Sequence, residues 1–517
     1  MTNASLLRCS DGNQTPEDVR VDDENHDAVT ANEANIGRQN QQEPFIGNEK
    51  QPSRVEVQWD KDDPGDPHNW KFAYKCFITF QLSLLALAPS FGSSVISPAS
   101  QVIAQYIHVN EEVAVLNVSL YVLGFAVGPL IWAPLSEVWG RKISMLPALF
   151  CLGIFSIGTA VSKNASSVFI TRFFGGVFGS APISNVSAAL GDIWSREARG
   201  TAVSLYAVMV TGGPTLGPVV GAALTAELSW RWTEYVEAIF VFAVWAFTFA
   251  FFPEVYGPVL LKQKAQRLRK ETGNKAYYHP HEDLKLDFES IITKQLSRPV
   301  LMLTTEPMVI CIAFYASFVY GVLYMTLQVF PIVFEDVHHL NTILASCSFL
   351  GLFIGVVFAL SINIGNQPRY IRAVRASGGK PVPEARLPPM AIGGIIFTVG
   401  LFWFGWTGGY RSVNIAAPLV ATILIGAGFN CIFQQCINFL IDTYGLYAAS
   451  ATAANTFLRS LMACGLPLAA RPMFKAIGVG PGVSVLGGVA ALALPVPFLF
   501  MKYGLRLRKK SRFAPID

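Results

Sequence analysis

Charge is scarce in this sequence. Only 14% of residues are Asp, Glu, Lys or Arg, and the formal balance of +4 is too small and too dispersed to argue for nucleic acid. Histidine is scarcer: the seven residues are His26, His68, His108, His279, His281, His338 and His339, and only HPH and HH cluster at all. Membrane hydroxylases and desaturases hold iron with grouped histidines, so that class is disfavoured and no metal site is expected. The pattern G-x-x-x-x-G-K-[ST] is absent, which argues against ATP hydrolysis. Seven of the eight cysteines lie inside apolar runs, none forms a CxxC pair, and they read as small hydrophobes and not as a disulfide framework. The first 70 or so residues are polar and acidic, without a short apolar stretch ending in a cleavage site. The first membrane helix is therefore expected to act as its own insertion signal.

What the chain has instead is apolar length. Hydrophobic residues make up 52% and aromatics 12% of the sequence. They gather in about twelve runs near 72–92, 113–133, 143–162, 166–188, 200–224, 235–253, 304–330, 344–364, 389–407, 413–437, 447–470 and 482–502. A bilayer core of about 30 Å needs about 20 apolar residues per helix, so each run predicts a crossing. A basic stretch around Lys262–Arg298 divides the runs six and six. Lys and Arg concentrate in alternate loops: Lys71, Lys75, Arg141, Lys142, Arg196, Arg199, the central stretch, Arg369, Arg372, Arg375, Lys380, Arg386 and the terminal RLRKKSR. The other loops hold only Lys163, Arg231, Arg411, Arg471 and Lys475. Positive charge stays on the cytoplasmic side, so both termini and the central loop are expected there. The expected organisation is a disordered tail (1–70), a six-helix bundle (71–253), a central loop (254–303), a second six-helix bundle (304–503) and a basic tail (504–517). The central loop carries an amphipathic basic stretch that could lie on an anionic leaflet, but it reads first as a solvated connector.

The loop after the second run reads APLSEVWGRK. An acid at a helix end (Glu137), a turn glycine (Gly140) and two cations (Arg141, Lys142) suit a latch between neighbouring helices. At this point the chain resembles the major facilitator superfamily, whose signature here is G-x-L-x-D-x-x-G-R-[RK]; Ala133 replaces its first glycine. In VMVTGGPTLGPVVGAAL, Gly213, Gly217 and Gly221 recur every four residues on one helix face, and Pro214 and Pro218 each remove a backbone donor. This resembles the antiporter motif g-x-x-x-G-P-x-x-G-G with Ala222 for the last glycine, which implies export; a close helix contact with no bearing on direction is the alternative. Arg172, in ITRFFGGVFGSAP, is costly inside a membrane unless paired or hydrated. It falls at the arginine of the family's fourth-helix motif l-x-x-x-R-x-x-q-G, with Gly176 matching and Gly175 replacing the glutamine, and the resemblance implies a role in proton coupling. Six further segments occur in order: LAPSFGSSVISPA, RWTEY, PEVYGPVLLKQKA, SRPVLMLTTEP, PEARLPPM and DTYGLYAASATAANTFLRS. Together they resemble the fungal drug:proton antiporter-1 family of multidrug and toxin efflux transporters.

The expected fold is all-α and polytopic: a major facilitator arrangement of twelve transmembrane helices in two six-helix bundles, rocking about a central site. Candidate cavity residues are Gln81, Asn117, Tyr121, Phe125, Tyr206, Tyr320, Tyr324, Gln328, Asn430, Gln434, Gln435 and Arg459. Aromatics with a few amides suit an amphipathic organic molecule, and the lack of a buried acid cluster disfavours a polyamine. The acids Asp192, Glu234, Glu237, Glu306, Glu335, Asp336 and Asp442 all fall near the ends of runs, so none presents itself as a mid-membrane proton carrier. Arg459, with Asn455 one turn earlier, either pairs with Asp442 or serves helix packing. The expectation is proton-coupled efflux of a drug, toxin or secondary metabolite by a monomer in the plasma membrane, the vacuolar membrane being the alternative. A proton gradient in place of a cofactor would supply the energy. An importer of a small organic nutrient is the nearer rival, an integral membrane enzyme the more distant one.

Overall fold

Proline recurs within the apolar runs, yet the runs fold as helices, because the neighbouring helices of a membrane bundle re-satisfy the backbone groups that proline frees. The computed structural model describes residues 55–283 and 297–514, and Val55–Asp517 forms one unit. The expected tail over 1–54 lies outside the described residues.

The first half holds α1 (Phe72–Gly92), α2 (Leu116–Trp139), α3 (Arg141–Ala160), α4 (Ala165–Ile193), α5 (Arg196–Glu227) and α6 (Arg231–Phe251). The second holds α7 (Pro307–Pro331), α8 (Ser348–Ala376), α9 (Leu387–Gly408), α10 (Ala416–Tyr444), α11 (Ala448–Ile477) and α12 (Val479–Arg508). Among the described residues, eleven of these helical segments are long and apolar enough to cross a membrane. The twelfth, α11, is as long but carries Arg459, Arg471 and Lys475. Bulky apolar side chains such as Ile154, Phe249, Phe358, Trp406 and Leu492 point outward and exposed, as a lipid-facing surface requires.

The packing repeats. Helix α1 lies on α5, α2 on α4 and α3 on α6; in the second half α7 lies on α11, α8 on α10 and α9 on α12. The halves meet where α2 packs on α11 and α5 on α8. Shifting each helix by six positions converts one of these contacts into the other, which is the mark of a twofold relation between the bundles.

The composition-based boundaries need two corrections. Residues 55–70, expected within the disordered tail, are built onto the central loop. Val55–Glu56 pairs in parallel with Tyr277–Tyr278, and Lys264 Nζ meets Asp60 Oδ2 at 2.9 Å and Asp63 Oδ2 at 2.7 Å. The acidic residues that make the segment look disordered are the ones that dock it. The hydrogen bond from Lys264, helped by the Gly65 N–H, holds the Asp63 carboxyl below its ordinary range. The loop helix Gly257–Thr272 is thus tied to the bundle and is no free linker. His281 Nε2 donates to the carbonyl oxygen of Val138 at 3.1 Å, and burial pushes its imidazole below the usual histidine value. At the other end, the boundary at 503 falls inside α12, and Arg508 Nη2 reaches Glu384 Oε1 at 2.7 Å.

Candidate functional site

Arg172 lies two turns into α4, and Glu234 and Glu237 lie in the first two turns of α6. Both helices start from the same side of the bundle, so the three residues meet at one depth. Arg172 Nη1 donates to Glu234 Oε1 at 3.2 Å and Glu237 Oε2 at 3.4 Å, and all three side chains are buried. Its Nε donates to the Asn117 carbonyl oxygen at 3.0 Å, while Nη2 reaches those of Gly92 at 2.9 Å and Ser93 at 3.4 Å. The guanidinium plane covers the ring of Tyr121 at 4.2 Å, and Tyr121 Oη donates to Glu237 Oε1 at 3.3 Å. Each of the three guanidinium nitrogens therefore donates, so the desolvation cost of the cation is offset from α1, α2 and α6 together. Glu234 keeps its second oxygen, Oε2, buried without a hydrogen-bond partner.

The acids near helix ends are therefore not all at the surface, which corrects the expectation that no buried acid cluster exists. Distance from a helix end does not by itself measure burial: around the start of α6, Leu228 and Trp232 are exposed, while the inner face of the helix buries Thr233, Glu234 and Glu237 completely. Two glutamates three residues apart on one helix face were the available signal.

The glycine-rich face of α5 lies directly on the end of α1. A Cβ at Gly213 would overlap Ser90, at Gly217 the Ser94 hydroxyl, and at Gly221 the Val95 carbonyl. Pro218 lies between these contacts in the same helix. This face holds the stretch of α1 whose carbonyls accept from Arg172, so the packing and the ion cluster are one assembly.

Across the interface, Ser93 Oγ and Tyr324 Oη share a hydrogen bond at 2.8 Å. Tyr324 abuts Tyr320 at 5.2 Å, Tyr320 stacks on Phe433 at 5.5 Å, and the Arg459 guanidinium lies 4.6 Å from the Tyr320 ring and 5.1 Å from that of Phe433. Gln434 accepts from Asn363 Nδ2 at 2.6 Å and donates to Ser204 of the other half. Gln435 donates to Asn363 Oδ1 at 2.8 Å. All the candidate cavity residues are buried, so this conformation is closed at its centre.

Some candidates serve packing in this conformation. Tyr206 Oη donates to the Ile183 carbonyl at 2.7 Å, and Asn430 Nδ2 donates to that of Val356 at 3.2 Å. Phe125 packs edge-on against Tyr121 at 5.2 Å, which places it beside the ion cluster. Gln81 and the Asn117 side chain are buried with their amide atoms unpartnered, and Gln328 is buried on α7. Arg459 does not meet Asp442, which pairs at 3.0 Å with Arg386.

At the basic end, Gly140 has φ +98° between α2 and α3, and a Cβ there would overlap Glu254. The Glu254 carboxylate accepts from the backbone N–H groups of Arg141 at 2.9 Å and Lys142 at 3.0 Å, capping the start of α3. Arg141 Nε pairs with Asp192 Oδ2 at 3.0 Å on α4, and its guanidinium lies 4.6 Å from the Tyr256 ring. Glu137 lies within electrostatic reach of Tyr256. The acid salt-bridged to Arg141 is thus Asp192, brought in by the fold from a distant part of the sequence. Arg386 repeats the arrangement in the second half, with Asp442 and with Tyr370 at 3.4 Å.

Comparison with known proteins adds the following. A model of the family described as Major Facilitator Superfamily matches residues 82–467. The chain is 40% identical over 459 residues to the major facilitator superfamily multidrug transporter FLU1 of Candida albicans, covering 88% of this chain and 75% of that one. It is 39% identical over 456 residues to the efflux pump bik6 of Gibberella fujikuroi, covering 88% and 94%. Among solved structures, the xylose transporter XylE of E. coli in a partially occluded inward-open conformation superposes with a TM-score of 0.60 at 18% identity, over 83% and 98% of the two chains. That last likeness shows the fold alone.

Proposed function

Because the chain belongs to the major facilitator superfamily, and is a multi-pass membrane transporter and not an enzyme, we propose that it exports amphipathic organic compounds by proton antiport. Similarity to a multidrug transporter and an efflux pump supports the direction of transport. The observation that carries the coupling is the buried cluster of one guanidinium and two carboxylates. Arg172, Glu234 and Glu237 together carry one unit of excess negative charge when all are ionised. Burying that charge is costly, so the cluster takes up a proton when open to the acidic side and returns it when open to the other. The unpartnered Glu234 Oε2 is where a proton adds without displacing an existing hydrogen bond.

Protonation weakens the hold on Arg172, whose Nη2 also grips the end of α1 through the Gly92 and Ser93 carbonyls. Ser93 in turn holds Tyr324 across the interface. The charge state of the cluster thereby biases how the halves meet, and the Arg141–Asp192 and Arg386–Asp442 pairs re-form or part at the basic end as access alternates. The transporter acts as a monomer in the plasma membrane with both termini and the basic end cytoplasmic, and the proton gradient takes the place of a cofactor. An inward proton-motive force near 150 mV supplies roughly 3.5 kcal/mol per proton, enough for a gradient of a few hundred-fold.

The test is accumulation of labelled amphipathic toxins in transporter-deficient cells with and without the chain, each with and without a protonophore. Export lowered by protonophore and lost in Glu237→Gln supports antiport. Accumulation that rises with the chain replaces the exporter with an importer.

A further inference from the structure

The two buried arginines are satisfied in opposite ways. Arg172 donates to three carbonyl oxygens and two carboxylates. Arg459, 4% exposed near the middle of α11, has among the described residues no carboxylate within salt-bridge distance and no hydrogen-bond acceptor, and its Nε is buried and unpartnered. Among the described residues, its guanidinium lies against the π faces of Tyr320 and Phe433. One turn earlier on the same face, Asn455 is 1% exposed with both amide atoms unpartnered.

A desolvated cation–π contact attracts the guanidinium but leaves its charge and its donors in place. A structural arginine at a helix crossing finds acceptors, as Arg172 does. This one is held by rings that leave its donor edge unused, with a second orphaned donor beside it, at the junction of the two halves.

We propose that Arg459 and Asn455 form an anion subsite in the central cavity and that the substrate is an amphipathic organic acid whose carboxylate seats on them. This inference rests on the reading of the centre as the substrate site. The carboxylate accepts two parallel N–H bonds from the guanidinium and a third from the Asn455 amide. The apolar body lies along Tyr320 and Tyr324, which reach towards Ser93 and the ion cluster. The same uncompensated charge repels a polyamine.

The test is calorimetric binding at pH 7 to the purified full-length chain in detergent. Probes are matched triplets, each an acetic acid, its primary amide and the corresponding ethylammonium, on naphthalene, indole and biphenyl rings. The carboxylate of at least one triplet should bind ten or more times tighter than its amide, a difference of about 1.4 kcal/mol. That preference should vanish in Arg459→Gln and survive in part in Arg459→Lys. The proposal is overturned if no carboxylate outbinds its amide, if an ammonium binds best, or if the preference persists in Arg459→Gln. Should Arg459→Gln fail to fold, the triplets on the native chain decide alone. No gradient is present, so a failure here leaves proton antiport standing, and a failure of antiport in cells leaves this binding result readable.

Discussion

The first bundle buries its arginine in ions and the second buries its arginine in rings. Arg172 meets Glu234 and Glu237, while Arg459 lies against Tyr320 and Phe433. Two bundles of matching helix packing thus differ at their centres: one buries an ion cluster and the other a guanidinium against aromatic rings, and the proposed proton and substrate roles rest on that difference. The hydrogen bond between Ser93 and Tyr324 joins them.

The contrast predicts opposite signs for the same kind of substitution. Arg172→Met leaves two carboxylates buried without their cation and should cost about 3–5 kcal/mol. Arg459→Met removes a charge that no acid needs and should leave stability unchanged or raised while impairing transport. Thermal unfolding of the two variants side by side checks this, and equal losses would break the comparison.

A second contrast is steric. Gly221→Ala places a methyl on the Val95 carbonyl and should cost about 1–3 kcal/mol by forcing α5 from α1. Gly465→Ala in α11, where a Cβ would meet nothing within 4 Å, should be neutral or stabilising by about 1 kcal/mol. Equal effects in a melting assay would remove the close-packed role of the α5 glycines.

The two arginine–aspartate pairs at the basic end, one in each half, offer a milder test of symmetry. Asp192→Asn and Asp442→Asn each weaken one arginine pair, and each should shift the bundles towards opening at that end. Cysteine accessibility at that end should rise by a similar factor in both. A rise in only one would mean that the halves do not share the gating load.

The smallest effect is expected in the docked segment 55–70, where Asp63 stands below its ordinary value because it accepts from Lys264. Asp63 therefore binds a proton less readily folded than unfolded, so its stabilisation is full above the ordinary carboxylate range and fades as pH falls through the lowered value. The pair is solvent-accessible, so Asp63→Asn should cost no more than about 1 kcal/mol at neutral pH. Limited proteolysis near residue 60 should rise in the variant at pH 7 and in the native chain only under strong acid.

Much of this was written in local sequence. The twelve runs correspond to the twelve long helices, since a window of apolar residues reports solvent preference directly. Gly140 and Gly213, Gly217 and Gly221 were visible by spacing, and the structure shows why no side chain fits. The partners were less visible. Glu254, Asp192, Phe429 and Phe433 went unremarked as site residues, although each contacts a residue that was singled out: Glu254 and Asp192 hold Arg141, and the two rings lie against Tyr320. Residues 55–70 misled for a related reason, since acidic composition reads the same whether it faces water or Lys264.

The sequence alone determined that this chain crosses a membrane many times, in two halves, and that Arg172 and Arg459 are unusual, because hydropathy and the cost of a buried charge are properties of single segments. The tertiary structure alone decided which arginine is neutralised. Glu234 and Glu237 reach Arg172 only because α4 and α6 start from the same side, whereas Asp442, at the end of α10, pairs with Arg386 and leaves Arg459, three turns into α11, without an acid. A charge's partner is set by distance in space, and no local pattern encodes that distance.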